Sequence, residues 1–282
     1  MKKRVLSMLL VVSMAVTLAA GCGKSTEDAQ EKEHSTKKEQ TTYEKIIEKG
    51  VLTVGTEGTY KPFTYHDEED ELTGYDVEVA KAIGEKMGVK VEFSEITWEG
   101  LLASMDNETV DLVLNQVGVT DERKEKYDFS EPYLYSYIAL ITNADNGEIS
   151  SWGEAKGKKT SLNVSSNYAL IAEEYEMDIT ASETFSKDIE LLTAGRTDCV
   201  INNTIAFNDY LTQKPDVKIK IVDVQEKADT VAIPIPKGNE DLVEAINKAI
   251  KELQDDGTLT KLSEQFLGTD FSHELTAEEI MQ

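Results

Sequence analysis

Short apolar runs alternate with amphipathic stretches over most of the chain. Residues 51–56, "VLTVGT", form an apolar run typical of a strand, and "FTYHDEEDELTGY" predicts a hairpin with an acidic turn. "DVEVAKAIGEKMG" has the period of a helix, with Asp76 as its predicted N-cap and Gly88 as its C-terminal stop. The strand "KVEFSEI", the helix "GLLASMDNE" and the strand "VDLVLN" follow. This order predicts a mostly parallel sheet covered by helices.

A second series of the same kind starts near residue 157. Strands "KKTSLNV", "DITASE" and "TDCVIN" alternate with helices "SNYALIAEEY", "SKDIELLTAG" and "TIAFNDYLTQK". The chain is therefore predicted to contain two α/β units. In open parallel sheets, ligands bind beyond the carboxyl ends of the strands, and the loops after Thr56, Asn115, Val164 and Asn202 lie at such ends. We expect a cleft between two lobes.

The first 21 residues have the pattern of a secretory signal. Lys2, Lys3 and Arg4 precede the apolar run "VLSMLLVVSMAVTLAA". A retained membrane-spanning helix is the alternative, because the run is only slightly short of a span. The following "TLAAGCG" resembles a bacterial lipobox, in which the cysteine becomes the lipidated first residue, so a lipid anchor such as palmitate is expected on Cys22.

Residues 22–44 are predicted to form a lipidated, disordered tether. Residues 24–42, "KSTEDAQEKEHSTKKEQTT", contain almost no apolar side chains, and such a segment cannot offset its ordering entropy by burial. An ordinary frayed terminus is the alternative. Behind a lipidated cysteine, the segment is better explained as a spacer between a folded domain and a membrane.

Composition narrows the function further. The 282 residues carry a formal net charge of −25, which argues against nucleic acid as a partner, because phosphate binding needs a basic face. The three histidines are scattered without zinc spacing, and neither a dinucleotide fingerprint nor a nucleophile motif is present. We therefore predict no metal site, no cofactor and no catalytic residue. Cys199 lies in the buried-strand pattern "DCVIN" and is expected in the core.

Arg123 stands one short turn beyond a predicted strand end. Thr120 suits the N-cap of the helix that follows. An arginine in this position can bind a carboxylate through two parallel hydrogen bonds. The alternative is a surface ion pair with Glu122 or Asp128, which is the commoner situation in a charged run.

Several motifs resemble one family throughout. "EGTY", "LTGYDVEVAK", "TWEGLLASM", "NQV", "TDERKEKYDFSEPY", "SSNY", "GRTDCVIN", "PKGNEDL" and "DGTLTKLSEQFLG" occur in order over about residues 50–270. They are similar to the polar amino acid-binding proteins of ABC importers, the bacterial solute-binding protein family 3, and most of all to its cystine-binding subgroup.

The resemblance implies a two-lobed periplasmic-binding-protein-like (type II) α/β fold with two crossing hinge strands. The crossings are expected near residues 133–137 and 229–231. Lobe 1 is then discontinuous, made of residues 45–133 and 232–270, and lobe 2 comprises residues 138–228. Residues 271–282 form a C-terminal tail.

The resemblance also assigns ligand contacts. Arg123 matches the arginine that clamps the ligand α-carboxylate, and Ser166 and Asn167 match a helix start that binds the same group. Gly118 matches a loop position whose backbone contacts the ligand, and Tyr60 and Trp98 match two aromatic side chains that sandwich it. Glu57 matches an acidic position near the ligand α-amino group, and Asn115 and Gln116 belong to the matching "NQV" loop.

Asn203 departs from the family pattern. Many members place an aspartate there to pair with the ligand α-ammonium, whereas an amide brings no charge. Either Glu57 supplies the counter-charge, or the ligand differs from a standard amino acid. Asn203 alternatively caps the helix that begins near Thr204.

These observations predict a monomeric binding protein rather than an enzyme. It would be lipid-anchored at the outer face of the cytoplasmic membrane, capture cystine or a related polar amino acid, and deliver it to ABC permease subunits. Two alternatives remain open: a dehydratase-like enzyme on the same fold, for which Glu57 is the candidate acid, and a ligand-sensing subunit that signals through a separate partner.

Overall fold

The computed structural model describes residues 40–275. The helices are α1 (Thr42–Lys49), α2 (Tyr75–Met87), α3 (Trp98–Asp106), α4 (Asp121–Lys126), α5 (Asn167–Glu174), α6 (Phe185–Thr193), α7 (Thr204–Gln213), α8 (Glu240–Asp255) and α9 (Thr258–Leu267). The strands are β1 (Val51–Thr56), β2 (Thr59–Tyr60), β3 (Thr64–His66), β4 (Leu72–Thr73), β5 (Lys90–Glu95), β6 (Leu112–Val113), β7 (Tyr127–Phe129), β8 (Leu134–Ser136), β9 (Ile138–Asn143), β10 (Lys159–Leu162), β11 (Asp178–Ala181), β12 (Cys199–Asn203), β13 (Ile219–Val224), β14 (Asp229–Val231) and β15 (Pro234–Pro236).

The first lobe is built on a parallel sheet in the order β5-β1-β6. Helices α2, α8 and α9 pack against one another beside this sheet. Their apolar faces and the central strand share one buried cluster that includes Leu52, Val54, Ile83, Ile246 and Ile250. Burial of these side chains is the main stabilising contribution to the lobe.

The second lobe has a five-stranded mixed sheet in the order β11-β10-β12-β9-β13. β10 pairs in parallel with β11 and β12, whereas β9 pairs antiparallel with β12 and β13. Leu140 and Ile141, successive residues of β9, pack into two different buried clusters. Both faces of the sheet are therefore covered. Cys199 is fully buried in β12, as predicted.

Two strands cross between the lobes at the predicted positions. β8 and β14 pair antiparallel, with Leu134 opposite Val231 and Ser136 opposite Asp229. The two-lobed α/β fold with crossing hinge strands is therefore present.

The prediction that Asp76 caps α2 is wrong. The helix starts at Tyr75, two residues earlier than predicted, and Gly74 is its N-cap, with φ 121° and no side-chain cap bond. A side chain at Gly74 would collide with the backbone of Phe63, so this entry to the helix requires glycine. Asp76 lies inside the first turn, where its carboxylate is bound by Gln116 instead.

The start of the described chain is more ordered than predicted. Helix α1 begins at Thr42, so the last residues assigned to the tether, 42–44, are helical, because Thr41 and Glu44 form a capping box. At the other end, the backbone carbonyl of Phe271 accepts a hydrogen bond from the Tyr135 N–H at 2.9 Å, and that of Leu275 accepts one from the Tyr137 hydroxyl at 2.9 Å. The tail is therefore fastened to the first crossing strand up to residue 275. The signal, Cys22 and the rest of the tether and tail lie outside the described residues.

Candidate ligand-binding site

A cavity of about 300 Å³ lies between the two lobes. Its first-lobe wall comes from the loop after β1, from β2, from the start of α3 and from the loop after β6. Its second-lobe wall comes from the loop after β10 and from the starts of α5, α6 and α7. These are the strand ends at which the pattern predicts ligand binding.

The cavity collects most of the predicted site residues. Those that line it are Glu57, Tyr60, Trp98, Asn115, Gln116, Ser166 and Asn167. The others, Gly118, Arg123 and Asn203, are packed behind the lining. Each of these three contacts a lining residue or its chain neighbour, as described below.

Asn115 fixes Glu57 at the carboxyl end of β1. Its Oδ1 accepts a hydrogen bond from the Glu57 backbone N–H at 2.8 Å, and its Nδ2 donates to Glu57 Oε2 at 2.7 Å. Burial raises the pKa of the Glu57 carboxyl, Asn115 opposes that rise, and the nearby charge of Glu99 adds to it. Among the described residues no cation pairs with Glu57, so its charge is available to a ligand.

Gln116 is held in an unusual backbone conformation, with φ 53°. Its N–H and Nε2 both donate to the carboxylate of Asp76, which is fully buried. Its Oε1 is buried without a hydrogen-bond partner in the described chain. Gln116 as a residue lines the cavity, and its bonds to Asp76 fix the course of this loop.

Arg123 is positioned by its helix and buried at 8% exposure. The Thr120 hydroxyl accepts from the Arg123 N–H, which sets the first turn of α4. The guanidinium donates to the backbone oxygens of Gly118 at 2.8 Å and Ser165 at 3.3 Å, and it lies 5.5 Å from the centre of the Trp98 ring. Burial lowers the pKa of the guanidinium.

The surface-pair interpretation of Arg123 is therefore wrong. No ion pair joins it to Glu122 or Asp128 within residues 40–275, and Asp128 instead faces Lys237 at 4.0 Å. A buried guanidinium that has only carbonyl partners and stands beside cavity-lining residues retains donors for a carboxylate.

Asp229 is a functional candidate that the sequence reasoning missed. It lies on crossing strand β14, and its Oδ2 accepts a hydrogen bond from Asn167 Nδ2 at 2.9 Å. Burial raises the pKa of the Asp229 carboxyl to about 6, against the lowering by Asn167 and Arg123. A Cβ on Gly118 would stand 2.7 Å from Asn167 Nδ2, so this corner has no room for a side chain. Only the fold brings Asp229 here, because it is 62 residues from Asn167.

Asn203 acts as the cap of α7, as the alternative interpretation holds. Its Oδ1 accepts from the Ala206 N–H at 2.7 Å, and its Nδ2 donates to the hydroxyls of Tyr60 at 3.0 Å and Tyr168 at 3.2 Å. The side-chain amide oxygen of Asn203 thus already caps the helix. Tyr168 and Asn202 belong to the same network and were not predicted.

Several hydrogen bonds between described residues join the lobes across the cavity, including the bond from Asn203 Nδ2 to the Tyr60 hydroxyl given above. The Tyr60 hydroxyl donates to Asn202 Oδ1 at 2.9 Å, Asn163 Nδ2 donates to Glu99 Oε1 at 2.6 Å, and Arg123 reaches Ser165 as described. The structure is therefore that of a closed cleft. Side chains that face one another across the cleft would separate if the two lobes moved apart about the crossing strands.

Comparison with known proteins defines the family. The profile described as "Bacterial extracellular solute-binding proteins, family 3" matches residues 52–269. The chain belongs to this family. Among family members, the L-cystine-binding protein TcyA of Bacillus subtilis is 38% identical over 273 residues, which cover 96% of this chain and 100% of that protein.

Two solved structures show the same fold, one unliganded and open and the other bound to arginine. The L-cystine solute receptor of Neisseria gonorrhoeae, in an unliganded open conformation, is 40% identical, with a TM-score of 0.60 over 84% of this chain and 100% of that one. An ancestral arginine-binding protein bound to arginine is 34% identical, with a TM-score of 0.72 over 78% of this chain and 99% of that one. The TM-score is thus higher against the arginine-bound relative than against the open one of higher identity.

No group of histidine, cysteine and acidic side chains within residues 40–275 is arranged to hold a metal ion. None of the helices described above is long and apolar enough to cross a membrane.

Proposed function

We propose that this family 3 protein is the extracytoplasmic substrate-binding component of an amino acid ABC importer. It captures cystine or a related polar amino acid between its two lobes and hands it to the permease subunits. Cys22 carries the lipid anchor, and the polar segment after it acts as the tether, so the domain works at the outer face of the cytoplasmic membrane. It works there as a monomer. The names of TcyA and of the gonococcal receptor support the choice of cystine.

The observation that carries the proposal is that the buried guanidinium of Arg123 forms no ion pair with a carboxylate within residues 40–275. It is joined to Ser165, next to the helix start at Ser166 and Asn167, and it stacks near Trp98. A ligand α-carboxylate placed here would meet both the guanidinium and the first N–H groups of α5. Glu57 then faces the α-ammonium.

This assignment gives Glu57 a role in binding rather than catalysis. The dehydratase alternative needs a positioned acid in the cleft, and Glu57 is half-buried with a raised pKa. Asn115 holds its carboxyl as an acceptor, which suits an ammonium ligand. We therefore treat its charge as the partner of the ligand amine.

Calorimetric titration of the parent and of Arg123→Lys tests the proposal. Lysine keeps the charge but loses the planar fork, and it cannot reach Gly118, Ser165 and a carboxylate together. A loss of about 2 kcal/mol or more is expected, which is tens-fold in affinity, with an unchanged melting curve of the free protein. Arg196→Lys, an exposed arginine of the second lobe, is the matched control.

The same titration covers cystine and all standard amino acids. Absence of binding by the parent to every one of them contradicts the amino acid proposal. Equal affinity of Arg123→Lys and parent contradicts the assignment of the carboxylate clamp.

A further inference from the structure

One wall of the cavity carries charges that the proposed amino acid contacts do not use. We call it the distal wall, formed by Phe185 and Asp188 of α6, Asp209 and Tyr210 of α7, and the lysines Lys61 and Lys214. The charged side chains that act most strongly on Arg123 are Asp229 and Glu122, whereas Asp209 lies near the charge of Lys61. The distal wall is thus a second charged region of the same cavity.

Asp188 is the buried charge of this wall. It is 4% exposed, and its Oδ1 has no hydrogen-bond partner of normal geometry among the described residues. Burial raises the pKa of the Asp188 carboxyl to about 6, although the Ser182 and Ser161 hydroxyls lie near enough to oppose that rise. A buried carboxylate oxygen without a partner is costly in a folded protein, and an ammonium group arriving in the cavity would remove that cost.

Two lysines supply the opposite charge from both sides of the cleft. Lys61 belongs to the first lobe and stands 4.9 Å from the centre of the Tyr65 ring. Lys214 belongs to the second lobe, where its Nζ donates to the Tyr210 hydroxyl at 3.2 Å. Both side chains are exposed and line the cavity, and neither forms an ion pair in the described part of the chain.

Apolar surface joins the two charged regions. Phe185 and Tyr210 meet edge to face with their ring centres 5.6 Å apart, and both line the cavity. A ligand that reaches from Arg123 to the distal wall would therefore lay an apolar middle section past aromatic rings. Its two ends would each meet fixed charges of both signs.

We propose that the distal wall is a subsite for a second amino acid head group, in which Asp188 binds the second ammonium and Lys61 and Lys214 bind the second carboxylate. The proposal rests on the proposed function and deepens it. It selects ligands with a head group at each end and an apolar linker between them, as in cystine. A single-headed amino acid would leave Asp188 unpaired.

A set of cysteine mixed disulfides of similar length tests each charge separately. The disulfide with cysteamine keeps the second ammonium alone, that with 3-mercaptopropionate keeps the second carboxylate alone, and that with propanethiol has neither. Calorimetry on the parent should rank cystine first and the propanethiol disulfide last, at least about ten-fold weaker. Equal affinity for these two overturns the proposal, and this comparison needs no variant to fold.

Variants then assign the charges to residues. Asp188→Asn should weaken cystine and the cysteamine disulfide by about ten-fold or more and leave the propanethiol disulfide within about two-fold. Lys61→Gln combined with Lys214→Gln should weaken cystine and the mercaptopropionate disulfide in the same selective way. Glu190→Gln is the matched control, since it removes one negative charge from the exposed side of α6.

The outcomes separate this proposal from the proposed function. Binding of all four disulfides with equal affinity, or equal losses for all four in Asp188→Asn, contradicts the distal subsite while amino acid capture stands. Absence of binding to every one of these ligands and to every standard amino acid contradicts amino acid capture itself.

Discussion

The carboxylate of Asp76 accepts two hydrogen bonds from Gln116, one from the backbone N–H and one from Nε2, each at 2.7 Å. The pair joins the first turn of α2 to a loop 40 residues away in sequence. It holds Gln116 at φ 53° with its Oε1 unpaired beside the cavity. Asp76 is therefore a positioning residue for the cleft rather than a helix cap.

Asp76 should make stability fall as pH rises from about 4 to 7. Burial raises its pKa from 3.8 to about 7, against the lowering by Gln116. The folded state then binds the proton more tightly than the unfolded state, so the stabilisation is complete below pH 3.8 and is lost by about pH 7, up to about 4 kcal/mol. Chemical denaturation of parent and Asp76→Asn across this range measures the difference.

Comparison with Asp76→Asn separates the pH effect of Asp76 from that of the other buried carboxyls. The parent should lose stability relative to Asp76→Asn with rising pH. Asp256→Asn serves as the control, because the pKa of Asp256 is lowered to about 2 and it stays ionised from pH 4 to 7. A stability difference between parent and Asp76→Asn that does not change with pH contradicts the account.

Glu57 and Asn203 should give different phenotypes. Glu57→Gln should weaken ligand binding by about ten-fold or more and leave folding intact, because Glu57 has no cationic partner within the described chain and its charge faces the cavity. Asn203→Ala should instead lower the free energy of unfolding by about 1–2 kcal/mol, because it removes the cap of α7. Calorimetry and chemical denaturation of both variants decide between the two roles.

Asn203→Asp adds a sharper comparison. Aspartate also caps helices well, so stability should be nearly retained, and affinity should be equal or better if a counter-charge to the ligand amine is useful there. Loss of binding in Asn203→Asp together with a silent Glu57→Gln would show that the ammonium assignment is wrong.

Tyr60→Phe should open the cleft. The substitution keeps the ring that lines the cavity but removes the hydroxyl that binds Asn202 and Asn203 of the second lobe. We expect about 1–2 kcal/mol less stabilisation of the closed form, hence weaker ligand binding, and a larger radius of gyration of the free protein in X-ray scattering. Tyr175→Phe, a tyrosine of the second lobe that stacks on Trp152, is the control and should change neither quantity.

Cys22→Ala tests the anchor. Two acyl chains give stable membrane attachment, so the variant should be released from the membrane or keep its signal sequence. Membrane fractionation and the intact mass of the N-terminus measure both outcomes. The same fractionation and the same mass in parent and variant contradict lipidation at this residue.

Local patterns predicted the fold well, and the family resemblance placed the crossing strands. The Thr120 cap of α4 and the burial of Cys199 follow from a few neighbouring residues, which explains why the sequence was sufficient for them. The prediction for Asp76 failed because a capping pattern cannot reveal that a distant amide competes for the carboxylate. Asp188 was missed for a related reason. Its carboxylate is notable because one oxygen is buried without a hydrogen-bond partner in the described fold, and no neighbour in sequence reveals this.

The attachment of α1 to the first lobe has a mechanical consequence if the domain is held by its N-terminus, as proposed. The Thr41 hydroxyl accepts from the Glu44 N–H and donates to Asp241 Oδ2 of α8 at 2.5 Å, so the start of the folded chain is fastened to the first lobe. A pull on the preceding segment is borne by that lobe and does not load β8 or β14. The first lobe would then serve as the fixed mount, so tension at the N-terminus would not act on the crossing strands.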